Sequence, residues 1–184
     1  MNITDAVKTP EEVQEISKKL LLNARGNPLY SDLWNFGLQV ALRISDLLTI
    51  TTAEALTGRI VLKDGKTSKT RSIDLNTKAM EIVHARRAAY PHHTYLFEVE
   101  SNRASSKPVS RVAVAVAFKA VGDELRIRLG THSMRKTRGW LMHDSGRSIE
   151  FICKVLNHSS PAVTMAYIGL TQCEIDQSYH DFII

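Results

Sequence analysis

The stretch His132-Ser133-Met134-Arg135, followed by Leu156-Asn157-His158-Ser159-Ser160 and then by Tyr167, decides how this chain reads. His132 and Arg135 stand three positions apart, so a helix puts them on one face. Phe151, Ile152, Val155 and Leu156 are the apolar residues of another short helix, at whose end His158 stands. Ser160-Pro161 has the form of an N-cap with proline at the first helical position, and the helix it opens carries Tyr167. The pattern predicts helices over about 133–143, 149–156, 161–167 and 173–182, with Thr171 and Glu174 as a capping-box pair for the last.

Upstream, helical periods come first and a strand period follows. Thr9-Pro10-Glu11-Glu12 combines an N-cap, a first-turn proline and a capping-box glutamate, which predicts a helix to about Ala24 with Val13, Ile16 and Leu20 buried. Arg25-Gly26-Asn27-Pro28 breaks it. A second helix from about Leu29 carries Leu33, Trp34, Leu38 and Val40 toward Arg43, where one apolar helix ends and a short one begins. Arg59-Ile60-Val61-Leu62 and Arg71-Ser72-Ile73-Asp74-Leu75 read as two strands around a polar turn, a β-hairpin with Lys66 and Lys69 at its tip. Asn76 caps a helix to about Tyr90, and Thr94-Tyr95-Leu96-Phe97 is a short apolar segment before a loop reaching Pro108. Ser110 caps the helix containing Val112, Val116 and Phe118. The expected fold class is α+β, mostly helical with one small antiparallel hairpin.

The 184 residues, 43% of them hydrophobic, suffice for one domain with its own core, expected to span 1–184. The net charge of +5 is gathered in groups: Lys63, Lys66, Lys69 and Arg71; Arg86 and Arg87; Arg103, Lys107 and Arg111; Arg135, Lys136 and Arg138. Grouped positive charge points to a polyanion such as nucleic acid, or to a merely solvated basic surface. Cys153 and Cys173 have no zinc-ligand spacing and are expected to be reduced packing residues. The start Met1-Asn2-Ile3-Thr4-Asp5 lacks the regions of a signal peptide and no stretch has the length of a membrane span, so a cytosolic location is expected.

Taken singly, the polar residues have ordinary explanations. Arg43 suits an ion pair with Asp46, Lys66 a solvated turn, Tyr167 a core position with its hydroxyl at the surface. Taken as a set they match the needs of phosphodiester attack. Two guanidiniums, Arg43 and Arg135, can clamp the oxygens of a phosphate, and His132, His158 and Tyr167 supply proton-transfer groups and a nucleophile. A free phenol has a pKa of about 10, so Tyr167 needs help; nearby Arg and His charge is expected to favour its phenolate.

In their order and spacing, Arg43, Lys66, His132, Arg135, His158 and Tyr167 resemble the catalytic domain of the tyrosine recombinase, or phage integrase, family. That resemblance covers nearly all of the chain from Thr9 onward. It implies DNA cleavage and rejoining through a 3′-phosphotyrosyl ester with no metal or other cofactor. It assigns the protonation of the leaving 5′ oxygen to a hairpin lysine, taken as Lys66 with Lys69 as rival. Double-stranded DNA is the implied partner, with four protomers on paired sites and a monomer in free solution. Ala41 stands where the motif often has glycine, Met134 where leucine is usual, and Asn157 where glycine usually precedes the histidine. No separate N-terminal core-binding domain is expected. The apolar C-terminal segment, with Ile175, Tyr179, Phe182 and Ile183, is expected either to dock on a neighbouring protomer or to fold back on its own core. Relaxation of the type IB topoisomerase kind, and a non-catalytic DNA-binding accessory role, are the competing readings.

Overall fold

In the computed structural model, residues 4–63, 70–99 and 106–170, with His180, are described. Lys66, Lys69, Arg103, Cys173 and Tyr179, and the helix expected over 173–182, lie outside the described residues apart from His180. The described elements run α1 (Pro10–Asn23), α2 (Leu29–Val40), α3 (Ile44–Leu47), α4 (Thr52–Leu56), β1 (Arg59–Lys63), β2 (Thr70–Asp74), α5 (Thr77–Ala89), α6 (Arg111–Leu125), α7 (Ser133–Asp144), α8 (Ile149–Leu156) and α9 (Pro161–Ile168). The fold is mostly helical with one two-stranded antiparallel sheet, as the sequence pattern predicts.

Side-chain caps start the helices where the sequence places them. Thr9 accepts from the Glu12 amide, Asn76 from Ala79, Ser110 from Ala113, Ser148 from Phe151 and Ser160 from Val163. The helix α4 is not announced by any apolar run, yet Thr51 and Glu54 form the same signature, with Thr51 Oγ1 accepting from the Glu54 amide at 3.1 Å. The hairpin pairs Arg59 with Asp74 through to Lys63 with Thr70.

Helix α2 is the hub, packed against α1, α5 and α7, while α7, α8 and α9 pack on one another. Trp34, Phe36, Phe97 and Phe118 interlock in the main core, which takes in Ile16, Leu20, Leu33, Ile60, Val83 and Met134. Within α6, Val114, Phe118 and Val121 face that core, whereas Val112 and Val116 face solvent. A separate small cluster joins Ala41, Ile152, Leu156 and Ile168, with Tyr167 and Met142 packed against it. Two glycines permit the close approaches. A Cβ on Gly37 would collide with Met134 of α7, and one on Gly139 would meet Ile168 Cγ2 at 2.7 Å and Leu156 Cδ1 at 3.1 Å.

One of the basic groups read as surface charge is corrected by the fold. Arg86 is buried, donating from Nε to the Leu96 carbonyl at 2.6 Å and from Nη1 to Asp32 at 3.1 Å, so it ties α5 to α2 rather than facing a partner. Among the described residues no helix is long and apolar enough to cross a membrane.

Candidate active site

Two helix ends converge on one guanidinium. Helix α2 stops at Ala41, whose backbone is left-handed (φ 51°), and the chain then turns through Arg43, the N-cap of α3. Helix α8 stops at Asn157, also left-handed (φ 49°). The last carbonyls of a helix lack intrahelical partners and carry its negative end. Arg135, in the first turn of α7, uses both sets: Nη1 donates to the Ala41 carbonyl at 2.6 Å, and Nη2 donates to the Leu156 carbonyl. The side chain is almost wholly buried. Burial, with the charges of Arg43 and Arg71, draws its pKa down to about 10, so it stays cationic at neutral pH.

These left-handed ends account for two departures from the usual motif. Glycine tolerates such a conformation freely, and asparagine is the least strained alternative, which fits Asn157. Ala41 pays the steric cost in a buried position, where its methyl packs in the small cluster.

The nucleophile candidate meets its neighbours directly. Tyr167 Oη lies 3.2 Å from His132 Nδ1 and within reach of the Arg135 charge. The His158 ring packs edge-on against Tyr167 with centroids 4.7 Å apart, and its Nδ1 lies 3.1 Å from Thr164 Oγ1. Arg43 is close enough that its charge acts on His132, Arg135, His158 and Tyr167. Five of the six residues singled out in the sequence therefore gather in one place; the sixth, Lys66, is outside the described residues.

The electrostatics revise the expectation for the phenol. Burial raises the Tyr167 pKa by more than Arg135 and Arg43 lower it, so the group rests as a neutral phenol. Histidine charge does not assist either. Burial, then Arg135 and Arg43, lowers His158 to about 4, and partial desolvation followed by Arg135, Arg111, Lys136 and Arg43 lowers His132. Both rings are thus neutral at pH 7, and a neutral imidazole beside a phenol is a proton acceptor rather than a stabilising cation.

Further residues belong to this site that the sequence marked only as basic. Arg71 on β2 donates from Nη2 to the Val155 carbonyl at 2.5 Å. Lys136 donates to the Thr4 carbonyl at 2.7 Å and lies 5.3 Å from the Tyr167 ring centroid. Strand alternation was available for Arg71, and adjacency to Arg135 for Lys136, but neither spacing distinguishes a site residue from a surface cation. Cys153 is buried and unpaired, donating weakly to the His158 carbonyl at 3.4 Å.

This helical scaffold, with arginines, histidines and a tyrosine drawn together at its helix ends, is the arrangement of a known family: the chain belongs to the phage integrase family, the tyrosine recombinases, whose profile matches residues 6–173. It is 30% identical over 187 residues to the probable integrase/recombinase YoeC of Bacillus subtilis (strain 168), covering 99% of this chain and 98% of that one. Its fold is similar to the crystal structure of XerA recombinase (TM-score 0.69, 18% identity, 96% of this chain). It is similar also to a lambda integrase dimer bound to a COC′ core site (TM-score 0.66, 15% identity, 93% of this chain). The chain spans 64% of the XerA chain and 51% of the lambda integrase chain.

Proposed function

We propose that this chain is a site-specific DNA recombinase that breaks and rejoins strands through a 3′-phosphotyrosyl intermediate, using neither metal nor other cofactor. The observation that carries this reading is the meeting of Tyr167 with His132 and Arg135 from another helix, within the field of Arg43. Tyr167 Oη forms the new bond to phosphorus as the bond to the 5′ oxygen breaks. Because the phenol rests neutral, its proton leaves during attack, and His132 Nδ1 is the acceptor within reach. Arg43 and Arg135 take up the charge growing on the non-bridging oxygens. His158, neutral and packed on the phenol ring, holds the nucleophile's orientation.

The departing oxygen takes its proton from the hairpin, from Lys66 with Lys69 as the rival. The substrate is double-stranded DNA, the working assembly four protomers on paired sites, and the free protein a monomer. We place it in the host cytosol or nucleoid, where it would act on DNA.

A nicked suicide duplex carrying the element's own ends tests this. Wild-type protein is expected to form a covalent adduct in EDTA that resists denaturing electrophoresis, and Tyr167→Phe none while still binding DNA. An adduct at wild-type level in Tyr167→Phe, or a strict magnesium requirement, overturns the mechanism. Relaxed circles without crossed-strand products would move the activity to the topoisomerase kind.

A further inference from the structure

Resting on the recombinase reading, we infer that Arg71 is a positioning residue, a latch that holds strand β2 of the hairpin against the end of α8 and through the hairpin serves its leaving-group lysine. The bond from Arg71 Nη2 to the Val155 carbonyl joins residues 84 apart in sequence. Leu156, the next residue, gives its carbonyl to Arg135. Helix α8 therefore ends on two guanidiniums, one from the hairpin and one from the clamp, through adjacent peptide units. The hairpin's position is thereby fixed relative to the phosphate-binding arginine.

A two-stranded hairpin has little stability of its own and needs such anchors. On β1 they are Ile60, buried in the main core, and the Val61 amide, which donates to Glu54 Oε1 at 3.2 Å. Both tie the hairpin to the half of the molecule that lacks Tyr167. On β2, Arg71 reaches the other half, where His158 and Tyr167 stand. Its placement is costly: burial and the nearby Arg43 both work against its charge, with Asp46 only partly offsetting them. A cation kept half out of water beside another cation is poorly explained as a solubilising surface group. A latch that must bind a helix end does explain it.

Because a latch acts through the lysine, its loss matters only when the leaving oxygen needs a proton. With Arg71→Ala, cleavage of ordinary DNA is expected to fall by about 100-fold, the scale of a misplaced catalytic group. On DNA with a 5′-bridging phosphorothiolate, whose sulfur leaves without protonation, the same variant should cleave at close to the wild-type rate. Equal losses on both substrates overturn the latch, because they would make Arg71 a phosphate contact or a support for His158. No loss on ordinary DNA overturns it as well. Arg71→Lys keeps the charge but not the planar fork, and carries the test if the alanine variant does not fold. It should show the same substrate-dependent defect, and wild-type cleavage of ordinary DNA by it removes the need for a guanidinium latch. A wild-type protein that forms no adduct with either substrate refutes the recombinase reading itself. An active wild type with a substrate-blind Arg71 defect refutes the latch alone.

Discussion

The main core and the small cluster under Tyr167 differ in depth as well as in size. In the main core, Trp34 and Phe118 meet edge to face at 5.7 Å, Phe36 and Phe97 at 5.5 Å, and α2 is held from several sides. Among the described residues, the small cluster has Ala41, Ile152, Leu156 and Ile168 fully inside, with Tyr167 at its margin. Arg43 follows a helix seated in the first, whereas the proposed nucleophile, Tyr167, rides on the second. Helix α7 belongs to both, with Met134 in the main core and Gly139 against α8 and α9. Local stability follows buried contact, so by the contacts of the described residues α2 is expected to open last and α9 more readily.

The largest expected effects separate chemistry from scaffold. Arg43→Ala and Arg135→Ala should each slow single-turnover cleavage by about 100- to 1,000-fold, the usual cost of losing a preorganised transition-state donor. They should part company in thermal unfolding. Arg43 is exposed, and its loss should leave the melting temperature nearly unchanged. Arg135→Ala strands two carbonyls at about 1–3 kcal/mol each, so its melting temperature should drop clearly. Equal thermal effects would break the distinction between the two arginines.

Leucine truncations probe the two clusters directly. Leu33→Ala and Leu156→Ala should each cost about 2–5 kcal/mol, but the second as a local opening of α8 and α9. Amide exchange should then speed up in 149–168 while α2 keeps its protection; uniform acceleration along the chain would show one cooperative unit. Gly139→Ala drives a methyl into Ile168 and Leu156 and should cost about 1–3 kcal/mol. Its cleavage rate is expected to fall further than its melting temperature suggests, because α9 carries Tyr167.

Acidification should act through the histidines. His158 titrates near 4 in the folded protein against an ordinary 6.5, so the fold rejects a proton that the unfolded chain accepts. Its contribution is complete above about pH 6.5 and is lost as pH falls toward 4, so His158→Asn should flatten the decline of melting temperature in that window. Cleavage should likewise fail on the acid side, where protonated His132 has no lone pair for the phenolic proton. The smallest effect is at a helix end: Asn157→Ala should cost about 1 kcal/mol, and Asn157→Gly almost nothing.

Helix boundaries were legible because caps are local: Thr9, Asn76, Ser110 and Ser160 each bond to an amide within three residues. The candidate site residues stood out as a set for a different reason, since their chemistry is scarce and their order matches a family pattern. What the sequence withheld depends on distant partners. Nothing local says that Arg86 is buried against Asp32 while Arg71 reaches Val155. Nor does it say that desolvation outweighs the arginines at Tyr167, a balance fixed only when α7 and α9 close on each other.

The seating of Arg135 between Ala41 and Leu156 also sets an order in time. During synthesis the Ala41 carbonyl emerges early, Arg135 much later, and Leu156 and Tyr167 after that. A nascent or truncated chain ending before α8 has neither the second anchor for the clamp nor the attacking hydroxyl. If Tyr167 is the nucleophile, such a fragment cannot cut DNA, and the capacity for strand breakage arrives only with the helices that complete the seat of Arg135.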